Sequence, residues 1–289
     1  MKPSFLLVFI SLFLFGLAVK EPNLPKPFKK QFKFIPSGLV VLEVDTFSVQ
    51  SFYMLNHEVT NKEYSVFLQE VKTEKPEIYN KVLVDSTLWR VHMKKGYFEP
   101  MEKVYHSHPA YADYPVVNIT KEAAELYCEW LGEKINRDLA DGQKIKVRLP
   151  YRAEFVRAGS GDKHGSIYAW GDHFMRNPNG EFRANFILKP QSTIGRDEEG
   201  NAVFKELVYT NTVSSDYFLT APSVSYSSNE FGIYNLNGNV AEWLIDTDNR
   251  SAGGSWYDYG YDIRLQSLRD YGKAAPQVGF RPVFTFIKD

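Results

Sequence analysis

Residues 234–243 read YNLNGNVAEW. The Asn-Gly step at 237–238 marks a tight turn. The residues around it are rich in oxygen: Asn235, Gly238, Val240 and Glu242 offer a side-chain amide oxygen, two backbone carbonyls and a carboxylate within eight positions. A turn with this spacing can wrap a hard cation, which takes carboxylate, amide and carbonyl oxygens in irregular geometry. Taken alone, the stretch reads first as a plain turn.

What surrounds it changes that balance. From Gly159 onward, glycine, asparagine, aspartate and aromatic residues dominate and no long helical period recurs, which predicts loops and short strands. A loop-rich domain leaves buried carbonyls without ladder partners, and each unpaired buried polar group costs about 1–3 kcal/mol. Bound calcium is one remedy. GRDEEGNAVF, from Gly195, is expected as an exposed hairpin tip.

The first half carries the helices. IPSGLVVLEVDTFSVQSFYMLNHEVT, from Ile35, has short Val-, Phe- and Tyr-rich runs and is expected as strands. In VTNKEYSVFLQEV, Thr60 can cap a helix, Glu63 can close the capping box, and Val59 can staple to Tyr64. A second helix is expected from Thr120 to about Asn136, with Ala124, Tyr127, Cys128, Leu131 and Ile135 at helical spacing. A third, short helix follows Pro150 and stops at Gly159. Cys128, the sole cysteine, reads as a small core residue, and it excludes an intramolecular disulfide.

The 289 residues are 44% hydrophobic and 15% aromatic, ample for a sizeable core. A formal charge of -1 argues against a nucleic-acid surface, and no nucleic-acid partner is expected. No Gly-x-Ser-x-Gly elbow, phosphate loop, dinucleotide fingerprint or zincin helix occurs. Residues 1–18, with an apolar run from Phe5 to Leu17 before Gly16-x-Ala18, are expected as a cleaved secretory signal. Residues 19–33, with three prolines and five lysines in KEPNLPKPFKKQFK, are expected as an extended tether able to touch anionic lipid. The folded domain is expected to run from 34 to 289, without internal repeats.

Two further stretches attract metal readings and hold them weakly. LIDTDNR fails the calcium-loop pattern, because Arg250 and Tyr257 occupy positions that need oxygen ligands, so a surface turn is expected. His106 and His108 share a side of an extended segment, but no third ligand is near in sequence, and His57, His92, His164 and His173 are scattered.

In order, HEVTNKEYSVFL, YPVVNITKEAAELYCEWL, VRLPYRAEFVRAG, YAWGD, TAPSVSYSSNEFGIYNLNGNVAEWLID, AGGSW and VGFRPVF resemble the formylglycine-generating-enzyme, or sulfatase-modifying-factor, family from Phe34 to Phe286. The resemblance implies a loop-rich, single-domain α+β fold of C-type-lectin-like type, with calcium as a structural cofactor. The family's calcium positions fall on Asn185, Phe186, Asp216 and Phe218 for one ion, and on Asn235, Gly238, Val240 and Glu242 for the second. Ala241 stands where the family usually has Trp, and Tyr151 where it has a threonine helix cap.

The resemblance also gives meaning to GGSWYDYGYDIR at 253–264. Oxidase members carry two cysteines here that bind copper and convert a substrate cysteine to formylglycine; in this chain those positions are Asp258 and Ile263. Neither a carboxylate nor a hydrocarbon replaces soft thiolates at copper(I), so copper is not expected. LVDSTLWRVHMKKGYFEPMEKVYHSHPAYADYPVV and the tyrosine-rich segment further resemble the gliding-motility and type IX secretion members of Bacteroidota envelopes. That likeness implies an exported, non-catalytic part of a periplasmic or envelope ring assembly, with other envelope proteins as partners. Trp256, Tyr257, Tyr259 and Tyr261 are the candidate contact residues, since interface hot spots favour such side chains. Two rival readings stand beside it: an oxidase with a metal held by Asp258, Asp262 and a histidine such as His106, and a glycan-binding module stacking sugars on tyrosines.

Overall fold

The computed structural model describes residues 24–92, 99–139, 142–163, 165–187, 192–206, 217 and 219–287. The expected signal, the start of the expected tether, and Asp216 and Phe218, expected as calcium positions, lie outside the described residues.

Residues expected as a tether are folded where they are described. Helix α1 (Lys26–Gln31) runs directly into strand β1 (Phe32–Ile35). Leu24 and Phe32 are buried and Phe28 packs against the same core, so three apolar anchors among the lysines hold the segment down. The lysine count conceals that spacing.

Strand β1 pairs with β4 (Phe52–Leu55), β4 with β12 (Val283–Ile287), and β12 with β5 (Lys144–Arg148), all antiparallel. Cores lie on both faces of this sheet. Met54 and Val283 join one hydrophobic cluster while their neighbours Leu55 and Phe284 join the other, as the two-residue period of a strand requires.

One face carries α2 (Asn61–Glu74) and α6 (Lys121–Arg137). The capping box of α2 forms as expected: Glu63 N donates to Thr60 Oγ1 at 3.2 Å, and Thr60 N to Glu63 Oε2 at 2.9 Å. Val59 and Tyr64 are both buried in this core. Cys128 is buried on α6, and burial pushes its thiol well above the ordinary range. Between the two long helices lie α3 (Tyr79–Val82), α4 (Leu88–His92) and α5 (Glu99–Val104), too short to show a period in sequence. Buried Val82, Trp89 and Tyr105 pin this region.

The other face carries α7 (Arg152–Ser160) and the hairpin of β2 (Gly38–Leu42) and β3 (Asp45–Val49). Helix α7 passes the expected stop at Gly159 and ends at Gly161, whose φ is +58°. Gly159 serves packing instead, because a Cβ there would collide with Leu265. In place of a threonine cap, Asp246 Oδ1 accepts from Arg152 N at 2.9 Å from 94 residues away. The hairpin of β6 (Ser192–Arg196) and β7 (Ala202–Glu206) forms about the expected tip. A second four-stranded sheet, in the order β10 (Leu268–Asp270), β9 (Arg250–Ala252), β8 (Ala241–Trp243), β11 (Val278–Gly279), holds the candidate site.

Candidate functional site

Gly253 and Gly254 turn the chain out of β9 with φ of +82° and +65°. Side chains are excluded at both: a Cβ on Gly253 would lie 2.6 Å from the Leu236 carbonyl, and one on Gly254 2.8 Å from the Asp262 carbonyl. This close approach lays the 255–263 loop against the 235–240 turn. Gly238 N donates to Gly253 O at 2.9 Å and Trp256 N to Asn239 O at 2.8 Å.

Asp258 lies in that loop, buried, with its carboxylate occupied. Oδ2 accepts from Ser255 N at 2.8 Å, Ser255 Oγ at 2.7 Å and the Tyr271 hydroxyl, while Oδ1 pairs with Arg269 Nη2 at 3.0 Å. Arg269 also bridges to Asp262 at 3.2 Å. Burial, followed by the Asp258 charge and its hydrogen bond, raises the Tyr271 phenol far above its ordinary range, so it stays a neutral donor. Ile263 has no exposure and packs with Tyr168, Ala184 and Phe186. This pair offers neither an exposed nucleophile nor a free ligand atom.

The metal-oxidase constellation is not assembled. Asp258 and Asp262 meet on Arg269, but His106 Nδ1 faces Asn61 Oδ1 at 3.0 Å, and burial pushes its imidazolium down to about 3, leaving the ring neutral. His108 accepts from Ala110 N at 3.1 Å as a local turn cap. Among the described residues no group of three or more His, Cys, Asp or Glu is placed to hold a metal.

Of the four aromatic candidates, Tyr257, Tyr259 and Tyr261 are exposed at 52%, 45% and 69%. Trp256 corrects the expectation. It is 3% exposed, packs near Trp89, and donates Nε1 to Pro276 O at 3.0 Å, because a buried carbonyl satisfies the indole.

The 235–242 turn closes over a buried charge cluster. Arg281, wholly buried, donates Nε to Glu242 Oε2 at 2.7 Å and Nη2 to Oε1 at 2.6 Å, and reaches Tyr234 O at 2.8 Å. Glu58, also buried, accepts from Asn239 Nδ2 at 2.9 Å and Asn235 Nδ2 at 3.0 Å. Burial raises the Glu58 carboxyl, Arg281 opposes that and Glu242 adds to it; the net result is pushed up to about 8. Asn235 Oδ1 is buried without a hydrogen-bond partner, and no backbone hydrogen bond falls on the carbonyls of Gly238 or Val240 among the described residues. Asn185 joins from the other side: its backbone oxygen accepts from Asn239 N at 2.8 Å and its Nδ2 donates to Leu219 O at 2.6 Å. Phe186 is buried beside Ile263.

Glu58, Arg281, Arg269 and Tyr271 were not singled out from sequence. For the first two a signal existed. Glu58 and Arg281 each stand alone as a charge inside an apolar run, MLNHEVT and VGFRPVF, and a charge in a buried run requires a buried counterpart.

The profile of the sulfatase-modifying factor enzyme 1-like domain matches residues 30–286, and the chain belongs to this family. It is 27% identical over 220 residues to the serine/threonine-protein kinase Pkn1 of Chlamydia trachomatis, covering 76% of this chain but 25% of that protein. It is 28% identical over 158 residues to the formylglycine-generating enzyme of Streptomyces coelicolor, covering 55% and 40%. The inactive C-alpha-formylglycine-generating enzyme 2 of Bos taurus is 26% identical over 69% of this chain and 64% of its own length. The chain thus spans less than two thirds of each of these relatives. Among solved structures, CarF superposes with a TM-score of 0.53 over 87% of this chain and 97% of that one at 19% identity, which supports a shared fold.

Proposed function

We propose that this chain is a non-catalytic member of the sulfatase-modifying-factor family that works by binding. The observation that carries the reading is the state of the two positions where oxidase members hold copper: Asp258 is buried with both oxygens occupied, and Ile263 is sealed in a hydrophobic cluster. With one cysteine in the chain, buried on α6, no thiolate pair is available. The finer reading is an exported, lectin-type structural component of a Bacteroidota envelope, of the gliding-motility or type IX secretion kind, with the exposed Tyr257, Tyr259 and Tyr261 as contact residues. It is supported by the sequence resemblance and by the exposure of those three side chains.

Calcium is proposed as the structural ion of the 235–242 turn. The unpartnered Asn235 Oδ1 and the free Gly238 and Val240 carbonyls suit it, and Glu242 keeps lone pairs beyond its bonds to Arg281. The ion would supply positive charge to a cluster of two carboxylates and one arginine.

Incubating the purified chain with copper, oxygen and a cysteine-containing sulfatase peptide tests the reading. Mass spectrometry is expected to show the peptide unchanged; formylglycine in the product would end the proposal.

A further inference from the structure

The β2–β3 hairpin has one strand whose outer side is left open. Its register is unbroken over five pairs, from Gly38↔Val49 to Leu42↔Asp45. Beyond that ladder, the backbone of residues 45–49 makes no hydrogen bond among the described residues. Exposed edges are ordinarily blunted by charged side chains, lysine above all, by proline or by a bulge. Strand β3, DTFSV, has no lysine, proline or bulge, and its single charge, Asp45, stands at its first position. Leu39 and Val41 on its partner are 56% and 52% exposed, so the hairpin also lacks a charged outer face.

A cleft of about 580 Å³ runs beside this edge. Phe47, Ser48 and Val49 of β3 border it consecutively, which a strand does along its edge and not across one face, and Gln50 and Ser51 continue the wall beyond the strand. The opposite wall comes from the start of α7 and from β9 and β10. Phe47 and Leu268 supply apolar surface, while three arginines line the cleft against two carboxylates. Arg148 is consumed by Glu154 in a two-pronged pair at 2.6 and 2.7 Å. Arg250 has no ion pair among the described residues, whereas Arg152 is already engaged, pairing through Nη1 with Glu43 at 3.2 Å and donating Nη2 to Gln266 O at 3.0 Å. Asp246, the other acid of the wall, spends Oδ1 on the helix cap. The unmet demand in the cleft is therefore for backbone partners along β3 and for negative charge opposite Arg250.

We propose that the open edge of β3 receives an extended, acidic segment of a partner protein as an added strand. Five residues of β3 give a track of about 17 Å. The segment's backbone completes the ladder, one apolar side chain enters between Phe47 and Leu268, and a carboxylate meets Arg250. Main-chain bonding supplies affinity in this mode and side-chain pockets supply selectivity. The surface is distinct from the tyrosine-bearing loop and does not depend on whether that loop is catalytic.

The test pans the full chain against a phage-displayed library of random dodecapeptides and resynthesises the recovered peptides with a fluorophore. Peptides alternating acidic and apolar residues are expected. Their binding should slow hydrogen exchange at residues 45–49 and weaken about tenfold or more in Arg250→Glu, since reversing a charge at an interface replaces attraction with repulsion. Arg250 is exposed, so the variant is expected to keep the parent melting temperature. Recovery of no peptide, binding that ignores Arg250→Glu, exchange at 45–49 unchanged, or light scattering showing a dimer with β3 already protected by a second copy would each overturn the proposal.

Discussion

Arg281 pairs with buried Glu242 and acts on buried Glu58 through its charge, and that sets its energetic role. Removing one partner of a buried pair strands the other charge, at a cost of about 3–5 kcal/mol, whereas replacing both with apolar groups of similar volume is often neutral. Arg281→Met is therefore expected to destabilise strongly and Arg281→Met/Glu242→Met much less, a difference read by urea denaturation of both variants. Gly238 is a second sensitive position. Its φ is +73°, and a Cβ would run into the Asn185 carbonyl, so Gly238→Ala is expected to cost roughly 1–3 kcal/mol by calorimetry. At Asp258 the lesson is chemical: a carboxylate fed by a backbone amide, two hydroxyls and a guanidinium is a fastener of the loop.

Helix α2 shows how an element's ends carry stability. Thr60→Ala removes the Oγ1 acceptor for Glu63 N, with an expected loss of about 1 kcal/mol in urea denaturation. Glu63 adds a pH dependence. Burial pulls its carboxyl up, but hydrogen bonds from His57 and Thr60 outweigh burial and hold it below the usual range. Because the folded state binds this proton more weakly than the unfolded chain, its contribution is present above the ordinary carboxylate range and is lost as pH falls through the lowered value. In Glu63→Gln the acid side of the stability profile should be flatter, as denaturation midpoints between pH 7 and 3 will show. Helix α7 reads differently, since its N-terminal amide is met by Asp246 from a distant loop, a cap that no local pattern announces.

At the scale of the molecule, the second sheet and its turns are short and irregular, with β8 and β11 buried, and the proposed calcium would tie them together. A ligand that binds only the folded state at a hundred times its dissociation constant adds about 2.7 kcal/mol. Chelation is accordingly expected to lower the melting temperature, calcium to restore it, and elemental analysis of the dialysed protein to find the ion. An unchanged melting curve would remove calcium from the account.

The long helices could be read directly from sequence because their causes are local: Thr60 and Glu63 sit three residues apart, and the buried side of α6 repeats at helical spacing. Strands were foreseen as a class but not their pairing, since β12 lies between β4 and β5 only through contacts across most of the chain. Residues 26–33 misled because lysine content masks where Phe28 and Phe32 fall on a surface that other segments create. That the chain has one cysteine, and so no thiolate pair, follows from the order of residues alone. That Asp258 is saturated, that Trp256 faces inward, and that Glu58, Glu242 and Arg281 share one buried cluster were decided by tertiary packing. Burial and hydrogen-bond partnership depend on which distant segments meet, and neighbouring residues do not encode that meeting.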